Sequence, residues 1–301
     1  DCLLSRGLGD VYKRQIDMSY GYKKGYNPQK YAENRKAEKE RTYQMIDDTA
    51  IEVSRSPDKL KEFLAVQAKF DMYSAANTLL IFKQIPNATQ LKSFEDWNKD
   101  GVKVRQKQKS IAILEPVEYT KSDGTLGLGY NVKRVFDRSQ TNSKREAVQK
   151  TEDLKHTLKN FVNASPVEIV VGEIPNSNLG AFYNFETQQI TLNENLTDTK
   201  QIFECLAQEV AFAQLADGKK SYSRRDEGFK AVCLAYMICT KYGVDKNAFA
   251  IESLPDNWKK ADAKDIRREL SSANSAYKEI VSRVNDEIYR QRQAKSKEME
   301  R

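Results

Sequence analysis

The chain is 301 residues long and carries 50 Lys and Arg against 43 Asp and Glu, a net charge of +7, and this length suits two cores rather than one. No apolar run approaches the roughly 20 residues that a membrane helix needs, and no signal segment opens the chain, so the expected setting is the cytoplasm, with no membrane partner. The mild basic excess suits nucleic acid or an anionic surface and by itself proves neither. Three of the four cysteines, Cys205, Cys233 and Cys239, sit in apolar helical patterns without CxxC spacing and read as buried free thiols.

Residues 1–15 (DCLLSRGLGDVYKRQ) have no starting Met, read as adapter-derived sequence and are expected to lie outside the fold. Residues 16–55 read as a polar arm followed by a helix. Residues 31–51 are dense in charge with few apolar positions, which predicts a solvated, weakly docked helix. Ser56 and Pro57 then start a helix cleanly, and Leu60, Phe63, Leu64, Gln67, Ala68 and Phe70 supply its buried stripe. A second helix spans 75–85 and ends at Pro86. Ser93 and Asp96 have capping-box spacing for a short helix that carries Phe94 and Trp97 and stops at Gly101.

From there the period changes to two. Residues 111–119 and 128–136 read as strands joined by a turn at Asp123-Gly124. Between the short helix and the first strand lies VKVRQKQKS, residues 102–110. As one extended strand it would put Lys103, Arg105, Lys107 and Lys109 on the same face as Ile111 and Ile113, which suits neither set. It therefore reads as a cationic loop after a short strand at 102–104. Residues 142–151 are polar and read as a linker. The second part, 152–301, reads as a helix at 152–161, strands at 167–171, 181–185 and 189–193, apolar helices at 199–215 and 226–242, and a long helix from 263 to about 295. The class is α+β: N-terminal helices on a small antiparallel sheet (56–141), then a helical domain with a small sheet and a long C-terminal helix.

The first constellation with chemistry is basic and aromatic. Trp97, Lys99, Lys103, Arg105, Lys107 and Lys109 precede the hairpin, and Tyr130, Lys133, Arg134, Phe136 and Arg138 lie on or just past its second strand. Cations that track phosphates, with aromatic faces for unstacked bases, are what sequence-tolerant single-strand binding needs. The plainer alternative makes Trp97 and Phe136 core residues and the lysines a solvated rim. Elsewhere there is no P-loop, no GxGxxG after a strand, no Ser-His-Asp arrangement and no two-metal carboxylate site at Asp137.

The run Asn77, Leu79, Leu80, Ile81, Gln84, Pro86, Ala88, Thr89, Phe94, Trp97, Gly101, Val104, Lys109, Ile111, Ile113 and Pro116, closed by VFDRSQT at 135–141, resembles the N-terminal domain of ArdC-type antirestriction proteins and LtrC-like proteins of conjugative elements. The match spans about residues 60–141. The resemblance implies binding of single-stranded DNA without sequence preference, in a protein of a plasmid, phage or integrative element. That family's basic loop carries two glycines where this chain has Lys107 and Ser110, so its turn is expected to differ.

The same resemblance implies a zincin-like metallopeptidase domain after the linker, with HExxH on one helix and a Glu ligand on the next. Here the HExxH segment aligns with Gln208-Glu209-Val210-Ala211-Phe212, and the distal glutamate falls at Val232, or at Lys230 if the alignment slips two places. A catalytic zinc needs about three protein ligands. The chain has one histidine, His156, on a polar helix where a surface role is expected. Gln208, Glu209, Phe212 and Val232 therefore read as vestigial positions, with Phe212 and Val232 expected to fill the emptied pocket, and no catalytic residue, metal or cofactor is expected. The readings left open are a single-stranded DNA binder, a metallopeptidase or nuclease with unconventional ligands, and a scaffold that docks host restriction or element transfer and replication proteins.

Overall fold

The computed structural model describes residues 27–143, 153–174, 178–244, 249 and 251–299. The expected adapter-derived segment, most of the arm and all but the first two linker residues lie outside the described residues. The chain divides into two compact units, Asp1–Tyr43 and Gln44–Arg301. In the first, Asn27 caps helix α1 (Pro28–Val53) by accepting hydrogen bonds from the Gln29 and Lys30 N–H groups at 3.0 and 3.2 Å.

The second unit is α+β. It begins with the C-terminal half of α1, where Ile46, Thr49, Ala50 and Val53 are fully buried. This corrects the expectation of a weakly docked helix. Its few apolar residues recur at helical spacing, so they form one narrow buried stripe that the mean composition conceals. Helix α2 (Pro57–Lys69) starts as expected, with Ser56 accepting from the Lys59 N–H, and buries Leu60, Phe63 and Leu64. Helix α3 (Ala75–Gln84) follows an N-cap at Ser74.

The first sheet has the order β1-β3-β2, from β1 (Leu91–Lys92), β2 (Ile111–Thr120) and β3 (Leu126–Asp137), all antiparallel. Helix α4 (Phe94–Lys99) is capped by Ser93 and stopped by Gly101 at φ 73°. The free edge of β2 is covered by two side-chain amides of α3. Asn77 bonds the N–H and C=O of Leu114 at 2.7 and 2.8 Å, and Gln84 does the same to Ala112 at 2.9 Å each. These amides satisfy backbone groups that an adjacent strand would otherwise take. Further along the edge, Pro116 removes the donor at its position.

The second sheet, order β4-β6-β5, joins β4 (Glu168–Gly172) parallel to β6 (Gln189–Asn193), with β5 (Ala181–Asn184) antiparallel on the other side. Helices α5 (Leu154–Asn163), α6 (Thr199–Ala216), α7 (Arg224–Tyr242) and α8 (Ala263–Met299) complete the unit, and Gly243 at φ 69° ends α7 as expected. Helix α2 packs on α7, and α3 on α8. The buried Tyr277 of α8 donates its hydroxyl to the Ala68 carbonyl at 3.0 Å. Residues of the two sequence-read domains thus share one core. Among the described residues, no helix is long and apolar enough to cross a membrane.

Gly180 marks a close approach of β5 to α6. A Cβ there would lie 2.4 Å from the Cys205 Sγ and 3.2 Å from Leu196 Cδ2. Gly180→Ala is expected to destabilise the protein by about 1–3 kcal/mol through overpacking. Cys205→Ala in the same chain should restore most of the loss, a non-additivity that urea denaturation of the two single variants and the pair would measure.

Candidate functional site

The residues 102–110 form an exposed loop rather than a strand. The expected strand at 102–104 is reduced to one bridge, Val104 to Thr141, because the Lys103 N–H is taken by the Asn142 side chain at 2.9 Å instead of a ladder partner. The loop is held at several points by the turn that follows β3. The Arg105 N–H donates to the Gln140 carbonyl at 2.9 Å, and its guanidinium donates to the Ser139 carbonyl. The Gln140 amide donates to the Lys109 carbonyl at 2.7 Å.

That turn is organised by Asp137, which is fully buried. Its carboxylate accepts from the N–H groups of Thr89, Gln90 and Ser139 at 2.7, 2.9 and 2.8 Å, and its own N–H donates to the Gln140 Oε1 at 2.8 Å. Burial acts to raise its pKa, but the hydrogen bonds from Ser139, Gln90 and Thr89 outweigh this and hold it below the ordinary 3.8. The VFDRSQT segment is therefore the anchor of the cationic loop, and Asp137 is structural rather than a nuclease carboxylate.

Within the loop, Lys107 adopts φ 62°, at one of the two places where the resembled family carries glycine. A non-glycine residue in this region is strained by about 1–2 kcal/mol, part of which glycine returns as chain entropy. Lys107→Gly is expected to stabilise the protein by about 0.5 kcal/mol, and Lys107→Val to destabilise it by about 1 kcal/mol. Chemical denaturation of the two variants checks both signs.

The predicted cations divide into two groups. Lys99 pairs with Asp96 at 3.1 Å, Lys133 pairs with Glu115, and Lys92 pairs with Asp100. These three lysines and three carboxylates line one groove of about 530 Å³ between α4 and the sheet, which therefore carries no net charge. By contrast, Lys103, Arg105, Lys107 and Lys109 are exposed, and among the described residues none of them has a carboxylate partner. Arg138 is turned onto the Gln90 side chain, its Nε donating at 3.0 Å. On β3, Tyr130 and Arg134 share a face by strand alternation and Lys133 lies on the other.

The aromatics also divide. Trp97 is 2% exposed and its indole N–H donates to the Phe136 carbonyl at 2.9 Å, so its ring offers no face to a base. This corrects its place among the binding residues; of the two large side chains on this six-residue helix, Trp97 is the one that docks and Phe94 stays exposed. Phe136 is half-buried, edge-on to the exposed Phe94 with ring centroids 6.4 Å apart. Tyr130 is exposed. The sequence reading passed over Tyr119, an exposed ring that lies across Gly127 and Gly129, where a Cβ would come within 2.7 and 3.3 Å of it. The signal was present as glycines on alternate positions of the facing strand.

Two of the vestigial positions, Glu209 and Phe212, come together around a cation. Glu209, 3% exposed on α6, accepts from the Tyr183 N–H of β5 at 2.8 Å. Both of its oxygens also bind the Arg224 guanidinium, at 2.7 and 2.6 Å. Phe212 lies under that guanidinium, 3.8 Å from ring centroid to Cζ, and Phe182 is 5.2 Å away. Tyr222 closes the cluster edge-on to Phe212 and Tyr183, and burial pushes its hydroxyl up to about 12. Gln208 and Val232 are half-buried on α6 and α7. Phe212 and Val232 were expected to fill the pocket with apolar contact, with Glu209 either a buried hydrogen-bonding group or a remnant; Glu209 is hydrogen-bonded and pairs with Arg224 from the first turn of α7. His156 is exposed on α5, as expected. Burial raises the Cys205 thiol and drives Cys233 to about 12, which keeps both as inert thiols.

No protein-family model matches the chain, and no curated protein matches it. The solved structures similar to it include two crystal structures of the antirestriction protein ArdC from plasmid R388. The metal-free one has a TM-score of 0.47 at 17% identity, covering 71% of this chain and 86% of that one. The Mn(II)-bound one has a TM-score of 0.49 at 16% identity, covering 71% of this chain and 84% of that one.

Proposed function

We propose that this protein binds single-stranded DNA without sequence preference, as a non-enzymatic product of a mobile genetic element that shields incoming DNA from host restriction. The observation that carries this reading is the loop at 102–110. It presents Lys103, Arg105, Lys107 and Lys109 to solvent without carboxylate partners among the described residues, on a backbone pinned by Gln140 and Asn142. A preorganised row of cations loses little entropy when it meets phosphates. Exposed Tyr130, with Arg134 on its face of β3, supplies a surface on which bases stack. The second half is a degenerate zincin-like domain that contributes fold and docking surface rather than hydrolysis, because the aligned ligand positions hold Gln208, Phe212 and Val232.

Fluorescence anisotropy with a labelled mixed-sequence oligonucleotide tests the proposal. Binding is expected at about 50 mM salt and should weaken steeply towards about 200 mM, with duplex of the same length competing poorly. No binding at low salt overturns it. Equal competition by duplex moves the reading to general anion binding.

A further inference from the structure

We infer that Arg224 occupies the metal's place: the chain carries its own cation at Glu209, and divalent metal ions have no binding role there. The inference rests on reading residues 208–212 as the HExxH segment and is independent of DNA binding. The donors present do not fit a metal. A zinc site draws about three ligands from Cys, His and carboxylate; here Glu209 is flanked by the Gln208 amide and the Phe212 ring, and Val232 stands where a distal ligand would be. Among the described residues, no group of three His, Cys, Asp or Glu side chains could hold an ion.

What the site does retain is a buried negative charge, and a carboxylate 3% exposed requires a compensating charge. Arg224 supplies it with a two-pronged contact at 2.6 and 2.7 Å that uses both Glu209 oxygens. It does so from the first turn of α7, where the helix dipole disfavours a cation, and where Asp226 and Glu227 follow the usual preference. The same turn also carries Arg225, and what sets Arg224 apart is its pairing with Glu209. Phe212, at the position of the second histidine, gives the guanidinium a ring face at 3.8 Å. Loss of the ligand and gain of the arginine thus read as one exchange, a nitrogen donor for an aromatic face and a metal for a guanidinium.

Thermal unfolding of the full chain in MnCl₂, ZnCl₂ or EDTA tests this. The expected result is the same midpoint in all three, a midpoint lowered by roughly 10 °C in Arg224→Ala, and no metal response in that variant either. Combining Arg224→Ala with Gln208→His, Phe212→His and Val232→Glu, which restores three ligands, should create a site at which Mn²⁺ or Zn²⁺ raises the midpoint by several degrees. Stoichiometric metal in the wild type, lost in Glu209→Gln, overturns the inference while leaving the zincin-like reading intact. A folded histidine variant that ignores metal overturns both and leaves DNA binding untouched. Should the histidine variant not fold, metal titration of the wild type and Glu209→Gln still decides.

Discussion

Replacement of Lys103, Arg105, Lys107 and Lys109 together by alanine is expected to weaken single-stranded DNA binding several-hundredfold at about 0.1 M salt. Each phosphate neutralised on a single strand contributes about 0.7 to the slope of log K against log salt, so losing four contacts should flatten that slope by about 3. The matched control is Lys92, Lys99 and Lys133 to alanine. It removes nearly as much charge, but from lysines that already face Asp100, Asp96 and Glu115, so its slope should change far less. Arg105 also holds the Ser139 carbonyl, and its loss costs about 1 kcal/mol of stability; binding is best compared well below the melting transition. An unchanged slope in the loop variant, or an equal change in the control, would place the DNA elsewhere.

Asp137→Asn should destabilise the protein by about 3 kcal/mol, because the new amide N–H₂ faces donors and leaves buried N–H groups of Thr89, Gln90 or Ser139 without an acceptor. The same carboxylate sets an acid limit. Its folded pKa lies below the ordinary 3.8, so its contribution is complete above that value and is lost as pH falls below 3.8 and through the lower folded pKa. Acid titration of the urea midpoint should therefore show a steeper loss in the wild type than in Asp137→Asn over that window. Equal acid sensitivity of the two proteins would remove Asp137 from this role. Since Asp137 also fixes the turn that pins Gln140 and the loop, the variant should lose DNA affinity even where it remains folded.

The elements that local chemistry dictates were legible in the sequence. Ser56, Ser93 and the terminal Gly101 and Gly243 bracketed their helices because caps act within one turn, and the hairpin followed from period-two alternation around Asp123-Gly124. The half-buried end of α1 was not legible, because a stripe of Ile46, Ala50 and Val53 is diluted by surrounding charge. Nor was the fate of Trp97, whose composition fits a stacking residue and a core residue equally well.

The loop at 102–110 shows the division most clearly. The sequence by itself determined that its four cations could not lie on a buried strand face, since alternation would have carried Ile111 and Ile113 with them. Only the tertiary structure decided which cations are available. Lys133 meets Glu115 across the β2–β3 pairing and Lys92 meets Asp100, while among the described residues the loop cations meet no carboxylate. The emptied peptidase site divides the same way. Absence of ligand histidines is a property of composition, visible in any unfolded chain, whereas the pairing of Glu209 with Arg224 joins residues 15 apart on two helices. A charge's partner is a matter of distance, and distance across a core is set by packing rather than by sequence order.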